Sequence, residues 1–336
     1  MEKKSLLEPK INSFVDTCLN YFCFVLLIFL FAVSSNALSR EYKKGFVFVT
    51  NQGEDSVSVI SLSDFEIIKS IGVGKAPAGI AIDAINNFVF VSNAEDKSIS
   101  VIDADELKVV KTIKIDGSAV GIGVSDGSRF LYIADWFNNR LLVYSIIGFK
   151  LLKKIKVGKA PAGVVSSRNG LIYVANRDDN SISVVSEKTF EVVDSLEAGD
   201  HPFGLALNPT EDRLLVTNVK SHDISIINLT KSRETVRVQV GKRPYCIAFS
   251  SKGLLAYVTN QYEDTVSVLD LKKNKIIKTI TVGSFPEGID SYNGYIFVTN
   301  WMDEEMMVLD AKTYSVVESI ELGSNPRNFG RFLLTQ

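Results

Sequence analysis

The chain has 336 residues, of which 46% are hydrophobic, with 37 Lys and Arg against 39 Asp and Glu. This composition is typical of a folded globular protein, and it excludes a disordered chain, a collagen and a disulfide-rich scaffold. The net charge of -2 gives no general attraction to nucleic acid or to anionic membranes.

An apolar run near the N-terminus, residues 21–33, is the first predicted element. Its 13 residues are fewer than the roughly 20 that a membrane-spanning helix needs, and lysines precede it, so a signal peptide fits best. Small residues at Ser35 and Ala37 suit signal peptidase and predict cleavage after Ala37. We therefore predict a signal peptide over 1–37, a short linker over 38–44, and export to the periplasm or the cell exterior. Acidic residues among the lysines leave an uncleaved N-terminal membrane anchor as the alternative.

From residue 45 onward, the sequence repeats one unit seven times. Short apolar runs end in Asn or Asp at intervals of 40 to 42 residues, at Asn51, Asn93, Asp135, Asn176, Asn218, Asn260 and Asn300. A second series with the same period consists of Pro77, Pro161, Pro202, Pro244, Pro286 and Pro326, with Ser118 at the position of the missing proline. Because two independent markers give one period, we predict a single repetitive domain over residues 45–336.

Each unit contains four short predicted strands, called a to d. In the second unit, apolar or alternating runs at 78–83, 88–93, 98–103 and 109–115 are separated by turn residues. Several fourth strands are rich in lysine, which discourages an exposed sheet edge from pairing with another chain. Strand d is therefore predicted at the outer rim and strand a at the centre.

A period near 42 residues with four antiparallel strands per unit predicts an all-β fold, a seven-bladed β-propeller with four-stranded blades. The first unit begins at its strand b, and the chain ends in residues 327–334, which form a strand a with no strand b after it. We therefore predict that the C-terminal strand completes the first blade and closes the ring.

The repeated segments FVTN, YVAN and YVTN, strands such as SVSVI and TVSVL, and the VGKAPAG turns resemble the YVTN-repeat seven-bladed β-propeller family. They are similar to YncE-like propellers and to the quinoprotein amine-dehydrogenase β-chain. The resemblance implies a propeller over residues 45–336. It leaves function open, because such propellers include exported binding proteins, archaeal surface-layer proteins and subunits of quinoprotein enzymes.

The repeated Asn and the acidic turn residues have structural explanations. Asn51 and its equivalents end strand b, where the side chain is expected to bond the backbone two residues on and organise the b–c turn. Acidic turns such as Glu54 and Asp55 lack the ligand spacing of a calcium loop and are predicted to be solvated. We predict no metal site and no cofactor.

Strand direction places the b–c turns and the d–a loops on one face, and the units differ there. After the repeated Asn they contain Gln52, Ala94, Trp136, Arg177, Val219, Gln261 and Trp301. After the proline position they contain Ala78, Ala119, Ala162, Phe203, Tyr245, Glu287 and Arg327. Three consecutive alanines followed by four bulky residues predict a funnel with one recessed wall at the mouth of the central channel.

Aromatic and arginine side chains at an exposed mouth are typical of a recognition site. We therefore predict a ligand- or partner-binding site formed by Trp136, Arg177, Phe203, Tyr245, Glu287, Trp301 and Arg327. The alternative is that Glu287 and Arg327 only pair across neighbouring blades and that the tryptophans cap the core.

Catalysis has little support in the sequence. His201 and His222 are the only histidines, and both fall in predicted turns without a matched cluster of carboxylates or cysteines. Cys246 lies within a predicted inner strand and is expected to be a buried core thiol. No nucleophile elbow, P-loop or zinc-protease motif occurs.

The leading hypothesis is an exported, monomeric, non-catalytic propeller that binds a protein or an extended ligand in the cell envelope. Contact with the membrane is expected only through the N-terminal segment, if that segment is not cleaved. The alternative is a propeller subunit of a quinoprotein-type amine dehydrogenase or of another periplasmic enzyme. Nucleic-acid binding is a weaker alternative, suggested by the combination of Trp and Arg side chains.

Overall fold

The computed structural model describes residues 45–230 and 233–335. In these residues, 28 β-strands form seven four-stranded antiparallel sheets, which are the blades of a β-propeller. The predicted fold class is therefore confirmed. The predicted signal peptide and linker lie outside the described residues, and no helix within the described residues is long and apolar enough to cross a bilayer.

The strands are numbered in chain order, and each blade is given from its innermost strand a to its outermost strand d. Blade 1 consists of β28 (Leu333–Leu334), β1 (Phe46–Asn51), β2 (Ser56–Ser61) and β3 (Ile67–Gly72). Blade 2 consists of β4 (Pro77–Asp83), β5 (Phe88–Asn93), β6 (Ser98–Asp103) and β7 (Lys108–Lys114). Blade 3 consists of β8 (Ala119–Val124), β9 (Phe130–Asp135), β10 (Arg140–Ser145) and β11 (Lys150–Lys156). Blade 4 consists of β12 (Pro161–Ser166), β13 (Leu171–Asn176), β14 (Ser181–Ser186) and β15 (Glu191–Glu197). Blade 5 consists of β16 (Pro202–Leu207), β17 (Arg213–Asn218), β18 (Asp223–Asn228) and β19 (Thr235–Gln239). Blade 6 consists of β20 (Pro244–Phe249), β21 (Leu255–Asn260), β22 (Thr265–Asp270) and β23 (Lys275–Thr281). Blade 7 consists of β24 (Pro286–Tyr292), β25 (Tyr295–Asn300), β26 (Glu305–Asp310) and β27 (Val316–Glu321). Two short 3-10 helices within the described part of the chain, Ile147–Phe149 and Arg177–Asp179, occupy turns.

Burial differs sharply between the middle and outer strands of a blade. The middle strands β5 and β6 are buried along almost their whole length, because neighbouring blades cover both of their faces. The outer strand β7 has a single buried side chain, Ile113, and its lysines are exposed. The lysine-rich strands β7, β11 and β23 all lie at the outer rim, as predicted.

The chain ends close the ring within blade 1. Strand β28 pairs antiparallel with β1, placing Leu333 opposite Val47 and Leu334 opposite Phe46. The backbone N–H of Phe48 donates to the carbonyl of Phe332 at 3.0 Å, so the pairing extends one residue further. The predicted closure of the first blade by the C-terminal strand is confirmed.

The repeated Asn does not form the expected bond to its own turn. Instead, the Nδ2 of the buried Asn51 donates across to strand c, to Ser56 Oγ at 3.0 Å and Ser58 Oγ at 2.8 Å. Blades 2, 4, 5, 6 and 7 repeat a bond from Asn Nδ2 to the residue five positions on. In blade 3, Asp135 replaces the Asn and accepts from Arg140 Nε at 2.6 Å. The Asn therefore clamps strand b to strand c, because a buried amide needs partners that its own exposed turn does not supply.

The acidic turn residues join neighbouring repeats. Asp55 Oδ1 accepts from the N–H of Ala76 at 2.8 Å, and Asp264 Oδ1 accepts from the N–H of Phe285 at 2.9 Å. In blade 5 the same acceptor is the Nδ1 of His222, which accepts from the N–H of Arg243 at 3.2 Å. These carboxylates and His222 are therefore structural acceptors that hold the b–c turns of blades 1, 5 and 6 to the d–a loops that follow them.

Blade 3 is displaced by one residue from the predicted alignment. Ala119, and not Ser118, stands opposite Asp135, as Pro77 stands opposite Asn93. Val120 therefore takes the position after the proline that the sequence assigned to Ala119. The sequence lacked the proline that marks this position in the other units, and the one-residue shift became visible only in the strand register.

Candidate aromatic and arginine site on the b–c face

Three aromatic rings fill the central channel at the level of the first inner-strand residues. Phe203 lies 4.8 Å from Tyr245 and 4.7 Å from Phe329, measured between ring centroids, and Tyr245 lies 5.5 Å from Phe329. Such tilted contacts stabilise aromatic clusters beyond the area that they bury. The predicted open funnel is therefore replaced by a plug formed by Phe203, Tyr245 and Phe329, which we call the aromatic plug.

Phe329 reaches the channel because the closing strand takes an unusual path. Asn51 pairs with Pro326 and Val47 with Leu333, so seven steps along the closing segment span four steps of β1. The extra residues bulge toward blade 2, where the N–H of Phe329 donates to the carbonyl of Ala78 and its carbonyl accepts from Ile80, both at 3.0 Å. Sequence reasoning placed Phe329 in an ordinary strand, and only the surplus length of the segment could have signalled the bulge.

An ion pair between the partly exposed Arg327 and the buried Glu287 lies beside the plug. Arg327 Nε is 2.9 Å from Glu287 Oε2, and the Nη2 of Arg327 donates to the Tyr245 hydroxyl at 3.1 Å. The other carboxylate oxygen of Glu287 accepts from Gln261 Nε2 at 2.8 Å. Burial outweighs the attraction of Arg327 and raises the pKa of Glu287 to about 7. Glu287 and Arg327 thus pair across neighbouring blades, as the structural alternative predicted.

The two tryptophans flank this centre from opposite sides. Trp136 contacts Phe203 with ring centroids 6.2 Å apart, and the Arg177 guanidinium lies over Trp136 at 5.6 Å. Trp301 donates from Nε1 to Gln52 Oε1 at 3.4 Å, and that oxygen also accepts from Arg327 Nη1 at 3.3 Å. All seven predicted site residues therefore belong to one connected cluster. Trp136, Arg177, Phe203, Trp301 and Arg327 remain partly exposed, whereas Tyr245 and Glu287 are buried.

The most exposed apolar residues of this face are ones that the sequence reasoning missed. Phe137 is 78% exposed, Met302 59% and Tyr262 54%. Each is the second residue after the repeated Asn or Asp, and only the first residue had been compared between repeats. The same comparison, moved by one position, would have identified them.

A cavity of about 670 Å³ occupies the other end of the channel. Its wall runs from Gly204, Cys246 and Phe329 to the a–b turns, where Arg168 and Glu211 lie, so it is on the a–b side of the plug. Burial raises the pKa of the Cys246 thiol, which keeps the thiol protonated and unreactive. The described residues contain no cluster of His, Cys, Asp or Glu that could hold a metal ion.

His201 lies in a turn that joins two repeats. Its Nε2 is 3.9 Å from Asp178, but burial and the nearby Arg177 and Lys220 lower its pKa. Its backbone N–H donates to Asn180 Oδ1 at 3.0 Å. This hydrogen bond links blades 4 and 5 in the same way that the bond from the Arg243 N–H to His222 links blades 5 and 6. The geometry of both histidines is therefore that of turn residues.

The sheets, their closure and the loop cluster define a seven-bladed β-propeller whose b–c face carries an aromatic and arginine cluster beside a plugged channel. The model of the YNCE-like beta-propeller family matches residues 35–170, which confirms the resemblance to YncE-like propellers. No curated protein matches the chain in sequence.

Solved structures share the fold at low sequence identity. The chain is similar to Kuenenia stuttgartiensis hydrazine synthase, with a TM-score of 0.73 and 17% identity over 79% of this chain and 92% of that one. It is equally similar to a functionally unknown protein from Desulfotomaculum acetoxidans, with a TM-score of 0.73 and 19% identity over 84% of this chain and 99% of that one. The dihydro-heme d1 dehydrogenase NirN gives a TM-score of 0.65 and 18% identity over 83% of this chain and 64% of that one. These likenesses show the fold alone.

Proposed function

We propose that this protein is an exported, non-catalytic propeller that binds a partner protein through its b–c face. The observation that carries the proposal is the exposure of Tyr262 and Met302 in the neighbouring blades 6 and 7, beside the rings of Phe285 and Trp301. Phe137 is a third exposed apolar residue of the same face, in blade 3. A contiguous exposed apolar patch is typical of an interaction surface. Export is inferred from the apolar segment at residues 21–33.

The support beneath this surface favours binding with little rearrangement. Trp136 is held between Phe203 and Arg177, and Trp301 is held by its bond to Gln52 and by Phe285, whose ring centroid is 5.6 Å away. A partner therefore meets side chains that are already ordered, which reduces the entropy lost on binding.

The test is capture of partners from the cell envelope by the full chain and by two matched double variants. Phe137→Ser with Met302→Ser removes exposed side chains of the b–c face and is expected to abolish capture without changing the melting temperature. Ile85→Ser with Leu254→Ser removes exposed side chains of the a–b turns and is expected to leave capture intact. Loss of capture only in the second variant would assign binding to the other face and refute the proposal.

Trp136→Ala with Trp301→Ala extends the test to the supporting cluster. We expect capture to be lost and the folded state to survive, because both tryptophans are only half-buried. A collapse of the melting temperature would show that the tryptophans act in stability and not in binding.

The cavity favours a second candidate, a subunit of a quinoprotein-type or other periplasmic enzyme. Its volume of about 670 Å³ is within the range of small-molecule sites. Visible absorbance of the purified protein, or dye-linked amine oxidation by it, would support this candidate over the binding protein.

A further inference from the structure

Charge is distributed unevenly around the b–c face. The b–c turns of blades 6, 7 and 1 are neighbours through ring closure, and they contain six acidic residues and no basic one: Glu263, Asp264, Asp303, Glu304, Glu54 and Asp55. The b–c turns of the other four blades contain four acidic and three basic residues: Glu95, Asp96, Asp178, Asp179, Lys97, Arg177 and Lys220. The b–c turns of blades 6, 7 and 1 are therefore strongly acidic, and those of the other four blades are nearly balanced. The d–a loops on either side of the acidic turns add Lys75, Lys242 and Arg243.

The same part of the face carries a continuous row of aromatic rings. The ring centroids of Tyr262 and Phe285 are 5.5 Å apart, and those of Phe285 and Trp301 are 5.6 Å apart. Met302 follows Trp301 and is exposed. We call the three acidic turns and this row the acidic aromatic half-face.

One end of the row already holds a cation. The guanidinium of Arg243 lies 4.5 Å from the ring centroid of Tyr262. This contact shows the geometry in which a cationic side chain stacks on these rings, because the face of an aromatic ring attracts positive charge. Trp301 presents the strongest ring for such a contact, and the chain places no arginine on it within the described residues.

Several of the surrounding carboxylates are fixed in place by the fold. Asp264 accepts from the N–H of Phe285, Asp303 from the N–H of Ser284 at 2.6 Å, and Asp55 from the N–H of Ala76. Their negative charge is therefore oriented before any partner arrives. Among the described residues, Lys242 is the one basic side chain in an ion pair with a carboxylate of these turns, 3.9 Å from Glu263. Arg243 and Arg327 contact uncharged residues of the same turns, Tyr262 and Gln52.

We infer that the acidic aromatic half-face binds an extended basic segment of a partner protein, in which Arg or Lys side chains are interspersed with apolar ones. This inference rests on the proposed function and adds the chemical class of the partner. The cationic groups stack on Trp301 and pair with the turn carboxylates, while the apolar side chains contact Met302 and Tyr262. Nucleic acid is a poor ligand for this surface, because its phosphates are repelled by the same carboxylates.

The test uses two synthetic peptides and the full chain. A seven-residue peptide that alternates arginine and leucine is titrated against the protein while tryptophan fluorescence is followed, and the same peptide with glutamate in place of arginine is the control ligand. Binding of the arginine peptide and not of the glutamate peptide is expected, with an affinity that falls as salt is raised.

Matched charge-neutral variants locate the site. Glu263→Gln, Asp303→Asn and Glu304→Gln together keep amide acceptors in the turns and are expected to weaken binding about tenfold. Glu95→Gln, Asp178→Asn and Asp179→Asn together remove three carboxylates from the b–c turns of blades 2 and 4 and are expected to change the affinity by less than about twofold.

Three outcomes overturn the inference: equal binding of both peptides, equal weakening by the two sets of variants, or tighter binding of a single-stranded oligonucleotide than of the arginine peptide. If the arginine peptide does not bind while the envelope partner is still captured through Phe137 and Met302, the partner class is wrong and the proposed function stands. If capture through the b–c face is also absent, both fail.

Discussion

Ring closure by the C-terminal segment should dominate the stability of this propeller. Strand β28 is the inner strand of blade 1, and deletion of residues 327–336 removes it and leaves β1 with an unpaired edge facing the channel. We expect the shortened chain to be unfolded or aggregated, because a closed ring has no open edge and the shortened ring has one.

The magnitude follows from what the segment buries. Phe329, Phe332, Leu333 and Leu334 are each at most 5% exposed. At about 1.5 to 3 kcal/mol for each buried side chain, their removal costs roughly 6 to 12 kcal/mol. Native proteins are stable by about 5 to 15 kcal/mol, so the loss is comparable to the whole free energy of unfolding.

Hydrogen bonds add to this cost. Asn328 is fully buried, and its Oδ1 accepts from the N–H of Thr50 at 2.7 Å while its Nδ2 donates to the carbonyl of Phe48 at 3.0 Å. Without the segment, these groups of β1 lose their partners, and an unpaired buried group costs about 1 to 3 kcal/mol.

A single substitution gives a measurable version of the same test. Phe332→Ala should lower the free energy of unfolding in urea by about 3 to 5 kcal/mol, because the side chain is fully buried in the core shared by blades 7, 1 and 2. Arg331→Ala, at the exposed neighbouring residue, should change it by less than about 0.5 kcal/mol. If the deleted chain unfolds cooperatively at the full-length midpoint, or if the two substitutions have equal effects, closure does not control stability.

Two further predictions concern single polar side chains. His222→Ala should lower the free energy of unfolding by about 1 to 2 kcal/mol, because it removes the acceptor for the Arg243 N–H at a residue with φ of 59°. His222→Asn should preserve the stability, since Asn180 supplies the same acceptor in blade 4. Equal melting temperatures for the two variants would contradict this prediction. Burial raises the pKa of Glu287 from 4.5 to about 7, so the native state binds this proton more tightly than the unfolded state, and the associated stability is present below pH 4.5 and lost as pH rises through 7. The free energy of unfolding of Glu287→Gln minus that of the parent should therefore rise by ~3 kcal/mol between pH 4.5 and pH 8. Urea unfolding at both pH values measures this difference, and an equal difference at the two pH values would refute the reasoning.

The repeat period predicted more of the site than any single motif did. Once seven units of four strands were recognised, strand direction placed Trp136, Arg177, Phe203, Tyr245, Glu287, Trp301 and Arg327 on one face, and the structure joins them in one cluster. The repeat period does not show which side chains contact each other. Whether Glu287 faces solvent or pairs with Arg327 depends on how closely blade 7 approaches the closing strand, which no local pattern records.

The errors share one cause, which is pairing between different segments of the chain. The role of Asn51 depends on the serines of the neighbouring strand, and that of His222 on the following d–a loop. The shift of Val120 depends on the register between β8 and β9. Each of these is a pairing between segments, whereas sequence reasoning compared equivalent residues one repeat at a time.

The sequence by itself determined the number of blades, the order of their strands and the closure of the ring, because these follow from a local alternation repeated at a fixed interval. Only the tertiary structure decided which end of the channel is closed. Phe329 enters the channel because the last segment is longer than the gap that it bridges, and its ring then packs on Phe203 and Tyr245 from blades distant in the chain. This contact forms only when residues from three separate parts of the chain pack together, so the sequence of a single repeat does not predict it.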